Sequence, residues 1–257
     1  MSTYTIATAL TTIPRLSSQI SVLLRGETGI GKSYIVKGLG KSLGMKVIDR
    51  RLSQMTEGDL LGLPSIVDGT TQWNPPDWFH EACEHPVILF LDEMNRATRE
   101  VQQGAFQLVL DRELNGHKLH PQTRVYAAVN VGGKYSVTDM DAALLRRFFV
   151  VDLQPDVADW LAYARAEGIS DLVVAFIAAN ESFLDPAAKS SPGSVQPTRA
   201  SWERFDLEVR ANEVVDGSHK LRNVDADLGF EGGGLSIQSL RFVTLQGVEV
   251  DVQGDIK

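Results

Sequence analysis

The tightest constraint in this chain is the stretch Gly26-Glu27-Thr28-Gly29-Ile30-Gly31-Lys32-Ser33, set between two patterns of different period. A short aliphatic run, 20–24, precedes it; Ile35, Val36, Leu39 and Leu43 follow at helical spacing until Gly44. That order reads as strand, glycine-rich turn, helix. The stretch fits GxxxxGK[ST], in which glycines let successive backbone N–H groups curl around phosphate oxygens at the positive end of a helix. In such a loop Lys32 reaches the β and γ phosphates and the Ser33 hydroxyl binds Mg²⁺.

A loop of this kind needs a partner strand. Val87 to Leu91 is a continuous apolar run of strand length, the kind buried on both faces of a parallel sheet. It delivers Asp92 and Glu93 to the C-terminal edge of the sheet, where open α/β sheets bind ligands. Asp92 then suits the Mg²⁺ shell and Glu93 the polarising of an attacking water. Further strands are expected at 46–49, 124–129 and 148–153, helices at 77–83 and 98–113, and a tight hairpin at Asn115-Gly116. Strands separated by helices, repeated about five times, predict an α/β three-layer sandwich around a five-stranded parallel sheet.

The pattern changes after Leu153. Val157, Trp160, Leu161 and Ala164 predict one helix, and Leu172, Val173, Phe176, Ile177 and Phe183 another. A Pro, Ser and Ala rich linker covers 185–197, after which Thr198 could cap a third helix carrying Trp202, Phe205 and Val209. The expected organisation is an α/β nucleotide-binding domain at 1–153, a smaller helical domain at 154–212, and an acidic remainder at 213–257. That remainder holds eight acids and four bases and reads as irregular or weakly strand-like, with an alternating stretch at 248–252.

Composition narrows the function. Of 257 residues, 43% are hydrophobic and 23% charged, which permits a sizeable core and argues against wholesale disorder. No apolar run approaches the length of a membrane span, and no basic flank and apolar stretch mark a secretory signal. The single cysteine, Cys83, forbids an internal disulfide and fits a cytoplasmic location. A net charge of −8 makes broad adhesion to nucleic acid or anionic lipid unexpected.

Taken together, GETGIGKS (26–33), VILFLDEMNRATREVQQGAFQLVLDREL (87–114), VYAAVN (125–130), MDAALLRRFF (140–149) and, more weakly, PTRASW (197–202) resemble the AAA+ ATPases. Within them the likeness is to the MoxR and dynein-related (AAA_5-like) group. The resemblance implies a P-loop NTPase fold followed by a helical lid, with ATP and Mg²⁺ as cofactors and ATP hydrolysis as the reaction. It implies a nucleotide-binding set of Gly26, Glu27, Thr28, Gly29, Ile30, Gly31, Lys32, Ser33, Tyr34 and, from the lid, Arg199 as second sensor. Metal ligation falls to Ser33 and Asp92. Asn130 corresponds to the sensor that aligns the lytic water, beside Glu93. Arg146 or Arg147 corresponds to the finger that reaches a neighbouring subunit's nucleotide, and Arg147, directly before Phe148, aligns better with the family's Arg-Phe pair.

A finger given to a neighbour implies a homo-oligomeric ring, by resemblance a hexamer. The resemblance further implies a chaperone-like remodeller of protein clients, with a partner bearing a von Willebrand factor A-type domain. Segment 52–76 and the Asn115-Gly116 hairpin then face the pore or ring surface, with Trp73 and Trp78 as substrate grips or as core. Two other readings stand beside it: a McrB-like motor subunit of a nucleic-acid machine, although no AsnLysxAsp guanine-reading motif occurs, and a low-turnover nucleotide-gated scaffold. The remainder at 213–257 departs from the family, whose lids finish with further helices.

Overall fold

The computed structural model describes residues 3–131, 145–185, 199, 202, 208–216, 219–231, 234–244 and 249–256. The chain divides into two compact units, 1–156 and 157–257.

The first unit is built on parallel strands β1 (Thr3–Tyr4), β2 (Ser21–Gly26), β3 (Lys46–Arg51), β6 (Val87–Asp92), β9 (Arg124–Asn130) and β10 (Phe148–Leu153). They lie in the order β1-β10-β2-β9-β6-β3. The central strands are buried on both faces, and successive side chains enter different cores because they leave a strand on opposite sides. Leu23, Val87, Leu89, Leu91, Val125, Ala127 and Val129 enter one core, while Val22, Leu24, Ile88, Phe90, Tyr126 and Ala128 enter the other. Helices α4 (Asp77–Glu84) and α5 (Arg99–Asp111) cover the first face through Trp78, Phe79, Ala82, Val101, Ala105 and Leu108. Helices α1 (Ile6–Thr12) and α2 (Lys32–Leu43) cover the second through Ala9, Ile35, Val36 and Leu39. This is the three-layer sandwich that the sequence predicts.

The sheet has six parallel strands where five were expected. The sixth, β1, is two residues long, too short to carry a period, and pairs Thr3 with Asp152 and Tyr4 with Leu153. It leads into α1, which a capping box closes: Thr5 Oγ1 accepts from the Thr8 amide, and the Thr8 hydroxyl accepts from the Thr5 amide at 2.8 Å. Helix α5 stops at Asp111, two residues before the expected end, because Arg112 takes φ 55° and Glu113 enters the next strand.

Two hairpins leave the sandwich. Strands β4 (Leu63–Val67) and β5 (Thr70–Asn74) pair antiparallel after the short helix α3 (Glu57–Leu61). Strands β7 (Glu113–Leu114) and β8 (His117–Lys118) flank Asn115 and Gly116, whose φ values of 48° and 88° suit the primed turn the sequence predicts. The hairpins touch: Asn115 Nδ2 donates to the Leu61 carbonyl at 3.1 Å, and a His117 ring nitrogen lies 3.0 Å from the Trp73 carbonyl oxygen. Trp78 is core, its Nε1 donating to the Asp59 carbonyl at 3.2 Å, whereas Trp73 is exposed.

Cys83 packs against the α4 side of the core, and burial pushes its thiol up to about 11. Because the thiolate is the nucleophile, Cys83 is expected to alkylate at pH 8 about two orders of magnitude more slowly than a free cysteine, with the rate climbing toward pH 11. Iodoacetamide labelling followed by mass spectrometry across that range checks it, and labelling at the free-thiol rate contradicts the packing.

In the second unit, helices α6 (Val157–Ala166) and α7 (Asp171–Ala179) pack Trp160, Ala164, Val173, Val174 and Ile177 with Leu184 and Trp202. The expected third helix does not form through Val209, since Glu208 opens a strand. Strands β11 (Glu208–Asp216), β12 (His219–Glu231), β13 (Gly234–Thr244) and β14 (Glu249–Ile256) make an antiparallel sheet in sequential order. The helical part therefore ends before residue 212, and the acidic remainder is a β-meander. Its signal lies in the sequence: Val224, Ala226, Leu228 and Phe230 alternate with Asn223, Asp225, Asp227 and Gly229. The alternation slips by one between Ile237 and Leu240, where the β12–β13 ladder carries Gln238 as an extra residue. Among the described residues no helix is long and apolar enough to cross a membrane.

Candidate nucleotide site

The loop between β2 and α2 opens at the C-terminal edge of the sheet. Gly29 at φ 81° and Gly31 at φ 107° turn it, and Gly31 precedes the first residue of α2, a conformation that a residue with a Cβ rarely adopts. A Cβ on Gly31 would also come within 3.0 Å of Ile6 Cδ1. Ile30 is buried in the α2 core and anchors the loop from below. At the far end Gly44, at φ 63°, ends α2 with its N–H returned to the Gly40 and Lys41 carbonyls.

Lys32, on the first turn of α2, is 7% exposed. Its Nζ donates to the Gly26 carbonyl at 3.0 Å, the Glu27 carbonyl at 2.7 Å and Asn130 Oδ1 at 2.7 Å. Three acceptors match the three donors of an ammonium. Burial pushes this ammonium down to about 8, opposed by the carboxylates of Asp92, Glu27 and Glu93 and helped by the Arg96 charge. Asn130 is the last residue of β9 and lies in register with Gly26 on β2. Adjacency in the sheet thus places the Asn130 carboxamide over the loop lysine.

Strand β6 brings the acids. Asp92 ends it, and burial holds its carboxyl above the usual range, moderated by the Glu93 amide donating to Asp92 Oδ1 at 2.8 Å. Glu93 takes φ 55°, so the chain swings away from the strand and the Glu93 side chain meets β3's exit. There Glu93 Oε2 accepts from the Ser53 hydroxyl, and Glu93 Oε1 from Arg96 at 3.2 Å. The next turn, the 3₁₀ segment Met94–Arg96, sends Asn95 back against the end of β9: Asn95 Nδ2 donates to the Asn130 carbonyl at 2.8 Å.

The AAA domain family of the dynein-related subfamily matches residues 21–148, which span this whole constellation. The chain belongs to the AAA+ proteins of the MoxR and dynein-related group. Protein CbbQ from Hydrogenophilus thermoluteolus is 25% identical to it over 144 residues, 53% of this chain and 54% of CbbQ. Midasin from Dictyostelium discoideum is 28% identical over 123 residues, 43% of this chain and 2% of midasin. The chain thus spans about half the length of the one relative and a small part of the other. Among solved structures, NtrX from Brucella abortus in complex with ADP aligns over 77% of this chain and 46% of its own, with a TM-score of 0.48 and 17% identity.

Within the AAA+ unit the expected site residues fall into two groups. Lys32, Ser33, Asp92, Glu93 and Asn130 sit at or next to the ends of β2, β6 and β9, with Tyr34 following on α2. Arg146 and Arg147 do not join them. Both are exposed in the turn before β10, whose first residue, Phe148, lies opposite Ser21 at the start of β2. The loop begins at the other end of β2, so the arginine pair lies about 17 Å from it along the strand direction, five residues at about 3.3 Å each. Arg199 belongs to the second unit. There its guanidinium is 5% exposed and forms an ion pair with Asp185, Nε to Oδ1 at 2.8 Å.

The sequence did not point to Ser53, Asn95 or Arg96, which hold Glu93 and Asn130. Ser53 lies in an irregular turn after β3 with no pattern to flag it. Asn95 had a usable signal, a carboxamide two residues beyond paired acids at a strand end. Among the described residues no cluster of three or more His, Cys, Asp or Glu could form a closed metal site. The donors present, one hydroxyl and one carboxylate, instead fit Mg²⁺, which keeps several waters and shares phosphate oxygens with the protein.

Proposed function

We propose that this AAA+ chain binds and hydrolyses Mg-ATP as a subunit of a homo-oligomeric ring that remodels a protein client. The meeting of Lys32 and Asn130 over a glycine loop, with Asp92 and Glu93 on the next strand, carries the hydrolytic part. The loop amides and Lys32 hold the β and γ phosphates, and a γ-phosphate oxygen replaces one of the neutral acceptors that now satisfy the ammonium. Ser33 and Asp92 would hold Mg²⁺, which would supply charge neutralisation at the phosphates. Glu93 orients the attacking water from the side of β6 and takes up its proton, while Asn130 fixes the water from β9.

Distance supports the ring. An arginine side chain reaches less than half of the roughly 17 Å that separates Arg147 from its own loop. As the finger that the resemblance assigns, Arg147 therefore serves the nucleotide of an adjacent copy. A six-membered ring is the reading favoured by resemblance. Arg199 acts as a second sensor once it exchanges Asp185 for nucleotide.

A protein client is supported by the β4–β5 hairpin. It exposes Leu63, Ile66, Val67 and Trp73, with Ile66 81% exposed, and residues 63–74 contain no basic side chain. Apolar exposure without cations suits a protein surface better than a phosphate backbone. A client or adaptor with a von Willebrand factor A-type domain completes the proposal.

Turnover measured against protein concentration tests it. Specific ATPase activity is expected to rise as subunits assemble and then to level off, in step with the mass observed by light scattering. A folded sample that binds no Mg-ATP in calorimetry refutes nucleotide use, and activity independent of concentration in a monomer refutes the shared site.

A further inference from the structure

Asn130 has a problem that β-sheet geometry creates and Asn95 solves. Strand β9 lies between β2 and β6, and the β6 pairing ends with Leu91 opposite Ala127. The last residues of β9 therefore run past the end of β6. On the β2 side the ladder continues, with the Val131 amide donating to the Gly26 carbonyl at 3.1 Å. In a parallel pair, alternate residues direct both backbone groups to the same neighbour, so the N–H and C=O of Asn130 face the side that β6 has left. Buried there without partners they would be costly.

Asn95 supplies a substitute peptide group. Its Oδ1 accepts from the Asn130 amide at 3.4 Å and its Nδ2 donates to the Asn130 carbonyl at 2.8 Å. Asn95 is 3% exposed and Asn130 8%, so both bonds lie away from water. A carboxamide offers one acceptor and one donor at this spacing without having to change its protonation state. The turn that carries Asn95 also carries Arg96, which holds Glu93, and both residues follow closely after Glu93 in the chain. Meanwhile the Asn130 side chain accepts from Lys32.

We propose that Asn95 is a positioning residue: by pairing with both backbone groups of Asn130 from the turn that follows Glu93, it sets the separation between the sensor carboxamide and the base. The water held between them is then oriented by a single rigid unit, and a shift of the Glu93 turn carries Asn130 with it. This rests on the ATPase reading above and adds a residue that touches neither nucleotide nor water.

Asn95→Leu keeps the volume and removes both the donor and the acceptor that face the Asn130 backbone. It is expected to lower kcat by about 10²-fold, the loss typical of a misplaced transition-state donor. The Kd for Mg-ATP should stay within about threefold of wild type, since the loop and Lys32 are untouched. The decisive readout is a double-mutant cycle. In an Asn130→Ala background Asn95→Leu should change kcat less than about threefold, because a residue acting through Asn130 has nothing left to position. A merely structural role predicts the same loss in both backgrounds, and that result, or wild-type kcat for Asn95→Leu, overturns the proposal. Asn95→Ser provides the cycle if the leucine variant does not fold. In the wild type the Asn130 amide is expected to exchange as slowly as the central β9 amides, and rapid exchange at Asn130 alone overturns the pairing. A wild-type protein that neither binds nor hydrolyses Mg-ATP defeats the ATPase reading instead, and the exchange measurement still reports on Asn95.

Discussion

Glu93→Gln is expected to lower the ATPase rate by about 10²- to 10⁴-fold, the range for losing a general base, while Mg-ATP binding stays near that of wild type. The substitution preserves volume and the hydrogen bond from Ser53, because the carbonyl oxygen of the introduced carboxamide can still accept. What it removes is the negative charge that polarises water, together with the partner of Arg96 at 3.2 Å. The phosphates are held elsewhere, by the loop amides and by a lysine satisfied through Gly26, Glu27 and Asn130, so the ground state is little disturbed. Single-turnover quench measurements with calorimetry in parallel separate the two quantities. A variant with wild-type turnover removes Glu93 from the chemistry and favours a nucleotide-gated scaffold. A variant that loses binding as well places Glu93 in ground-state recognition instead.

The sequence exposed those parts of the structure whose physics is local and periodic. The run Val87 to Leu91 alternates between two cores although it looks uniform, because both faces of a central parallel strand are covered. The loop glycines declared themselves because positive φ at Gly29 and Gly31 has no cheap substitute. Three kinds of feature stayed hidden. Strand β1 is too short to have a period and exists only because Asp152 and Leu153 offer an edge. The meander from Glu208 mixes charges into its alternation and slips phase at Gln238, which obscures a period of two. Residues that hold other residues were the last kind. Ser53 and Glu93 are 40 positions apart, and nothing about a serine after a strand announces a carboxylate opposite. Asn130 was legible as a strand-end polar residue, yet the need of its backbone for Asn95 follows only from β6 ending early, a property of pairing register.

Arg147→Ala is expected to reduce turnover in the assembled state by about 10³- to 10⁵-fold, the value of a finger supplied between subunits. A parallel sheet has its ligand edge at one end, and Arg147 sits at the other, directly before Phe148, which lies opposite Ser21 where β10 begins. Its exposure at that edge costs little in the isolated unit, so thermal stability should remain within about 0.5 kcal/mol of wild type, as for a surface substitution. Arg146→Ala, one residue earlier and also exposed, is expected to retain most of the activity, since Arg147, directly before Phe148, is the better match to the family's Arg-Phe pair. Mixing provides the sharper measurement. A Glu93→Gln subunit has a dead site and an intact finger, whereas an Arg147→Ala subunit has an intact site and no finger. Where the two alternate in one ring, the second borrows the arginine of the first, and activity should return in the mixture though each parent is nearly silent. Recovery that peaks near equal proportions and disappears on dilution below the assembly range identifies a site completed across the interface. Two silent parents that stay silent when mixed, with mixed rings confirmed by native mass spectrometry, would place the missing cation within the subunit and end the shared-site mechanism.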